Sequence, residues 1–204
     1  MQNKENEYLN VFIAKIPDNV IFGDVYPKER NDEIKSTNNE ELKKHKYCAW
    51  RLLAYAVSRT LGKSLSDFAF HKEESGKWVC DKFYFSLSHS ENAIMVAISS
   101  LAVGVDIEFI NNPRSLAFAK RILSEKECEE YDCSDDKAAY LITKWTQREA
   151  VYKHSGEGVF SPRRIVTDNV PLFSKSVSIA NDSYAFTVAS NVIERATTEI
   201  IEIY

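Results

Sequence analysis

An α+β fold assembled from two halves is predicted by three features of this sequence. Each half holds one long amphipathic helical pattern, short strand-like runs lie beside it, and no Pro/Ser-rich linker divides the two. The halves are expected to span residues 1–101 and 102–204, meeting at Leu101 and Ala102. A ligand site is expected in the cleft between them, because clefts between packed units favour ligands.

Residues 8–14 read as a first strand, and the polar residues 30–39 lead into a helix over 40–61. In that helix Leu42, Ala49, Leu52, Leu53, Ala56, Val57 and Leu61 recur at helical spacing, and Gly62 suits a left-handed C-cap. A charged turn over 72–77 precedes strands at 82–88, 93–99 and 103–108, the last two close enough to suggest a hairpin. Helices are expected at 116–122 and from Ser124, where Ser124 and Glu127 fit a capping box. The longest helix of the second half covers 136–154, and Gly156 and Gly158 end it. Strands at 176–180, 184–189 and 198–203 complete the pattern.

Composition narrows the class. With 44% hydrophobic and 27% charged residues the chain has the balance of a soluble globular protein. Its four cysteines form no CxxC pair and its four histidines lie far apart, which argues against a structural zinc site. The opening MQNKENEYLN lacks the apolar core of a signal peptide. No run approaches the roughly 18 apolar residues of a membrane span. A cytoplasmic monomer with free thiols and no membrane contact is expected. A net charge of −4 disfavours nucleic acid as a partner. Basic residues still cluster at Lys43, Lys44, Lys46 and Arg51, and again at Lys120 and Arg121; from charge alone each group reads equally as a solvated helix face.

Three segments break local rules, and such breaks mark candidate sites. In Gly104-Val105-Asp106-Ile107-Glu108 the two carboxylates fall on one face of a strand, about 7 Å apart along it. They repel unless a cation lies between them, and a hard divalent ion takes oxygen ligands of this kind; a solvent-facing polar edge would read the same. On the 136–154 helix the apolar stripe is Ala138, Leu141, Ile142, Trp145 and Tyr152. Glu149 sits on that stripe, with Lys153 one turn further along the same face. A carboxylate there needs a partner or a metal, or else forms a simple i,i+4 pair with Lys153 at the stripe's margin. The third segment, Phe85-Ser86-Leu87-Ser88-His89-Ser90, ends an apolar strand in hydroxyls around an imidazole. It lacks the nucleophile-elbow pattern of a hydrolase and leaves two readings, a phosphate contact or a polar strand end.

Phe85-x-Leu87-Ser88-His89-Ser90, then the Gly104–Glu108 segment, then Trp145-x-x-Arg148-Glu149-Ala150-x-x-Lys153-x-x-Gly156-x-Gly158 resemble, in order and separation, the three-motif signature of the Sfp-type 4'-phosphopantetheinyl transferases. The resemblance implies a pseudo-dimer of two similar α/β halves with the active site in the cleft, holding coenzyme A as co-substrate and Mg²⁺, with Mn²⁺ as the alternative. It implies Asp106, Glu108 and Glu149 as metal ligands and Lys153 as a contact to the coenzyme phosphates. Ser88 and His89 match the segment lining the coenzyme, and Lys46 the basic residue near its 3'-phosphate. Gly76 and Lys77 match the segment against the adenine, although Trp78 replaces a proline there. Arg148 stands where the family usually has lysine, and a different side-chain geometry follows from that change.

The activity so implied is transfer of the phosphopantetheine arm to a serine of an acyl, peptidyl or other carrier protein. Glu149 would be the general base, with Glu127 as the alternative, and Lys153 and His89 would contact phosphate. Carrier proteins of this class are acidic, and Lys120 and Arg121 are the candidate docking charges. The remaining alternatives are a non-catalytic coenzyme-A-binding or carrier-interaction module and a metal phosphohydrolase.

Overall fold

Residues 7–111, 116–156 and 160–202 are described by the computed structural model, which puts Gly158 and the expected strand end at Ile203 outside the described residues. The chain runs from strand β1 (Leu9–Lys15) through helices α1 (Lys28–Lys35) and α2 (Glu40–Leu61) to a small hairpin of β2 (Phe70–Lys72) and β3 (Trp78–Cys80). Strands β4 (Tyr84–Ser90), β5 (Ala93–Ser99) and β6 (Val103–Phe109) follow. Helices α3 (Leu116–Ile122), α4 (Glu125–Cys133) and α5 (Lys137–Ser155) precede β7 (Leu172–Ile179), β8 (Asp182–Ser190) and β9 (Ala196–Glu202). Helices combined with one mixed and two antiparallel sheets make the fold α+β, as expected. Among the described residues no helix is long and apolar enough to cross a membrane.

Strand β5 explains the layering. Its sequence AIMVAIS is apolar at nearly every position, and all seven residues are buried. A strand covered on both faces reads this way, whereas a half-exposed one alternates. Ile94, Val96 and Ile98 face α2 with Phe12 and Ala14 of β1. Ala93, Met95 and Ala97 face the other way, joining Leu9, Val11 and Ile13 of β1 against Val105, Ile107, Phe186 and Val188. The layers are therefore helix, sheet, sheet, helix. The first sheet has the order β4-β5-β1-β9 and the second β6-β8-β7. Helix α2 covers the first sheet through Trp50, Leu52, Leu53, Ala56 and Val57, all buried. Each fully buried side chain of this kind contributes about 1.5–3 kcal/mol of transfer free energy.

Two expectations are corrected by the structure and a third, the turn, is extended. Residues 93–99 and 103–108 do not form a hairpin: β5 pairs with β4 and β1, while β6 pairs with β8 in the other sheet. Both edges of β5 are already filled, so the chain crosses between layers at residues 100–102. The polar stretch 30–39 contains helix α1, which buries only Ile34 and Arg30. Arg30 lies with its guanidinium 4.8 Å over the Trp50 ring, so a charged residue stands where an apolar stripe would otherwise signal a helix. The charged turn at 72–77 is the tip of the unanticipated β2–β3 hairpin. The expected division at residues 101 and 102 falls between β5 and β6. Strand β9, however, pairs parallel with β1, drawing residues 196–202 into the first sheet.

Candidate active site

Helix α5 is set against β6 before any charged group is considered. Asp136 caps its N-terminus by accepting from the Ala139 N–H at 2.9 Å, and Gly156 closes it in the left-handed conformation at φ 69°. Midway, the buried Thr146 hydroxyl is 2.8 Å from that of Thr187 on β8, which is 2.9 Å from Ser174 on β7. The close approach itself depends on Gly104. A Cβ there would lie 2.0 Å from the Ala150 carbonyl oxygen and 2.4 Å from the His154 nitrogen. Only a residue without a side chain lets the helix cross the strand this near, and the crossing brings Glu149 and Lys153 to the polar face of β6.

That face is not a solvent-exposed edge. Asp106 is 3% exposed. Its Oδ1 accepts from Lys153 Nζ at 2.7 Å and from the Ser88 hydroxyl at 2.7 Å. Its Oδ2 is buried with no hydrogen-bond partner among the described residues. Lys153 Nζ also lies 3.1 Å from Ser88 Oγ and 3.9 Å from Glu149 Oε2. Glu108 accepts from the Ser90 hydroxyl at 2.8 Å. Burial pushes the Glu149 carboxyl above the usual carboxylate range; Lys153 opposes this, and the negative charges of Asp106 and Glu108 add to it.

A second set of charges lies on the first-half side of the cleft. The Glu33 carboxylate accepts from Arg30 and from the Trp78 indole, each at 3.0 Å, and lies 3.4 Å from both Lys46 and Lys72. Burial works against its ionisation, but these donors overrule it and hold Glu33 down at about 2. Beside Lys46, the His45 ring stacks on His89 with centroids 4.5 Å apart. His89 keeps part of its ring in solvent. Desolvation of the rest, followed by the charges of His45, Lys153 and Arg30, pushes its pKa down.

Gly76 and Lys77 form the third wall. Gly76 has φ +87° at the tip of the β2–β3 hairpin, where Glu73 accepts its N–H. Lys77 Nζ crosses to α5 and donates to the Lys153 carbonyl at 2.9 Å. Gly76, Lys77, Trp78, Tyr152 and Lys153 line a cavity of about 340 Å³, and a second cavity of about 570 Å³ opens beyond Lys77. The expected site residues therefore fall into two groups: Ser88, Asp106, Glu108, Glu149 and Lys153 where α5 meets β6, and Gly76 and Lys77 on the cavity wall, with His89 against His45 and Lys46 beside Glu33.

Arg148 and Glu127 stand apart from these groups. The Arg148 guanidinium is buried and points away from the cleft, donating to the Pro162 carbonyl at 3.0 Å, the Lys144 carbonyl at 3.1 Å and Glu127 Oε2 at 2.6 Å. Burial again raises the Glu127 carboxyl, but the Ser124 N–H and Arg148 prevail and hold it at about 2. A carboxylate so stabilised is a poor proton acceptor at neutral pH. Lys120 and Arg121 are exposed, and so are Arg163 and Arg164.

Donor chemistry in the first group suits a hard divalent cation: three carboxylates that sense one another, one with an orphaned buried oxygen. Among the described residues, no three His, Cys, Asp or Glu side chains are grouped as a ready-made metal site. The Lys153 ammonium is what neutralises Asp106 here. Not anticipated are the bonds of Ser86 and Ser90 to β6, expected only as candidate phosphate contacts, and Glu33 as the hub of the cations. The serines had a signal, since Ser86, Ser88 and Ser90 alternate with the same two-residue period as Asp106 and Glu108.

Comparison with known proteins adds an independent line. Residues 102–195 match the sequence model of the 4'-phosphopantetheinyl transferase superfamily. A 4'-phosphopantetheinyl transferase of Bacillus pumilus is 30% identical over 113 residues, covering 53% of this chain and 48% of that protein. One from Bacillus subtilis is 27% identical over 138 residues, covering 65% and 57%. A holo-[acyl-carrier-protein] synthase of Mycoplasma mobile is 42% identical over 53 residues, covering 25% and 49%. The chain spans about half the length of these curated relatives.

Proposed function

We propose that this chain, whose residues 102–195 match the sequence model of the 4'-phosphopantetheinyl transferase superfamily, belongs to that superfamily and moves the phosphopantetheine arm of coenzyme A onto a serine of an apo carrier protein. The observation that carries this reading is Lys153 Nζ, 2.7 Å from buried Asp106 and 3.9 Å from Glu149 on the wall of the cleft. A pyrophosphate substrate needs cations to hold it, and a serine nucleophile needs a base; both kinds of group meet there.

In the reaction the serine oxygen forms a bond to the β-phosphorus of coenzyme A. The bond from that phosphorus to the bridging oxygen breaks, and 3',5'-ADP leaves with the electron pair. Glu149 takes the serine proton, and a carboxyl raised by burial is better matched to that task than an ordinary one. Lys153 has three N–H donors and can share them between Asp106 and a phosphate oxygen, a charge-assisted bond strengthened by partial desolvation. His89, Lys46 and the hairpin residues Gly76 and Lys77 hold the nucleotide end of the coenzyme. Asp106, Glu108 and Glu149 would hold Mg²⁺, or Mn²⁺, which when bound supplies positive charge to the pyrophosphate oxygens.

The partner is an acidic acyl, peptidyl or other carrier protein. Exposed Lys120 and Arg121, with Arg163 and Arg164, support docking of that charge. The free cysteines suit the expected cytoplasmic setting. Replacement Glu149→Gln is expected to keep the circular dichroism and melting of the parent while lowering release of 3',5'-ADP by about 100-fold or more. Near-parental release would remove Glu149 from its role.

A further inference from the structure

Strands β4 and β6 lie side by side without sharing a ladder, since among the described residues β4 pairs only with β5 and β6 only with β8. The N–H groups along the β4-facing edge of β6 would be orphaned if nothing met them, and buried N–H groups are rarely left so. Three serine hydroxyls meet them. Ser86 Oγ accepts from Val105 N at 3.1 Å, Ser88 Oγ from Ile107 N at 3.4 Å and Ser90 Oγ from Phe109 N at 3.1 Å. Two of the three rungs do more. The Ser88 hydroxyl donates to Asp106 and the Ser90 hydroxyl to Glu108.

We propose that Ser88 and Ser90 are positioning residues that aim Asp106 and Glu108 for a divalent cation. This rests on the metal reading of the proposed function. A hydroxyl has one donor and two acceptor sites. Ser88 uses all three: it donates to Asp106 and accepts from Ile107 N and Lys153 Nζ. Its donor is thus committed to the carboxylate rather than free for a coenzyme phosphate. By bonding one oxygen of each carboxylate, the serines fix its rotation, and on Asp106 this leaves the other oxygen to a ligand. Asp106 Oδ2, buried and without a hydrogen-bond partner, is that remaining oxygen on the first of the pair. Outer groups of this kind set ligand orientation and affinity in metal sites.

Ser86 supplies the internal control, because it makes the same bond to β6 and touches neither carboxylate. The experiment measures Mn²⁺ binding by electron paramagnetic resonance on the full chain without coenzyme, alongside urea unfolding of the metal-free protein. Ser86→Ala, Ser88→Ala and Ser90→Ala are all expected to lower the urea midpoint, each leaving a β6 N–H unmet. Only Ser88→Ala and Ser90→Ala are expected to weaken Mn²⁺ binding, by about tenfold, and Ser90→Thr should restore it by returning the hydroxyl. Parental affinity in both alanine variants, or an equal loss in Ser86→Ala, would overturn the positioning role while leaving the transferase reading intact. If the unaltered chain bound no Mn²⁺, the metal assignment of Asp106, Glu108 and Glu149 would fall and this proposal with it.

Discussion

At the scale of single residues, burial decides which charged groups are poised for chemistry and which are structural. Glu149 is pushed up by burial, whereas Glu127 and Glu33 are held near about 2 by their donors. A carboxyl ordinarily near 4.5 and depressed on folding stabilises the fold above its unfolded pKa. That contribution is lost as pH falls through the folded value. Stability is therefore expected to decline between about pH 4.5 and about 2, and Glu127→Gln should flatten part of that decline in acid titrations followed by tryptophan fluorescence. An unchanged acid limb would mean that the Arg148–Glu127 pair does not hold α4 to α5. By resemblance Arg148 stands where the family usually has lysine; its guanidinium is used by two carbonyls and Glu127. Motif spacing tells which residue type occurs where, but not which way a long side chain turns.

Elements turn these residues into a site through one crossing, α5 over β6, and Gly104 sets its closeness. Gly104→Ala would drive a Cβ to 2.0 Å from the Ala150 carbonyl oxygen, a backbone atom that cannot move alone. The cost is expected to be about 2–3 kcal/mol or more, at the upper end of overpacking. Because α5 must shift to relieve it, transfer should fall along with the urea midpoint; retention of both would contradict the crossing geometry. Helices α2 and α5 were legible from apolar periodicity and the glycines at 62 and 156, and α4 from the Ser124–Glu127 capping box. Helix α1 was not, because its core contacts are one isoleucine and a stacked arginine. The hairpin between β5 and β6 was misread for a different reason. Strand partners depend on which edges are already occupied, and that is a long-range fact which local spacing does not contain.

For the whole molecule, the two sheets share the core between them, so the cleft above that core is a property of the complete fold. Asp106 comes from β6, Ser88 from β4 and Lys153 from α5, and no one of these segments would form the site alone. From the sequence, the carboxylates, the lysine and the histidine were legible as a set only through their joint order; singly, each had an ordinary structural reading. The burial of Asp106 and the serine rungs that hold it were not legible, because both follow from the contact of two strands that share no ladder. Phosphopantetheinyl transfer is read out by intact-mass measurement of an apo carrier protein incubated with this chain, coenzyme A and Mg²⁺. A gain of one phosphopantetheine per carrier is expected, prevented by EDTA and by changing the carrier's acceptor serine to alanine. No mass gain, or a gain that survives loss of that serine, would contradict it.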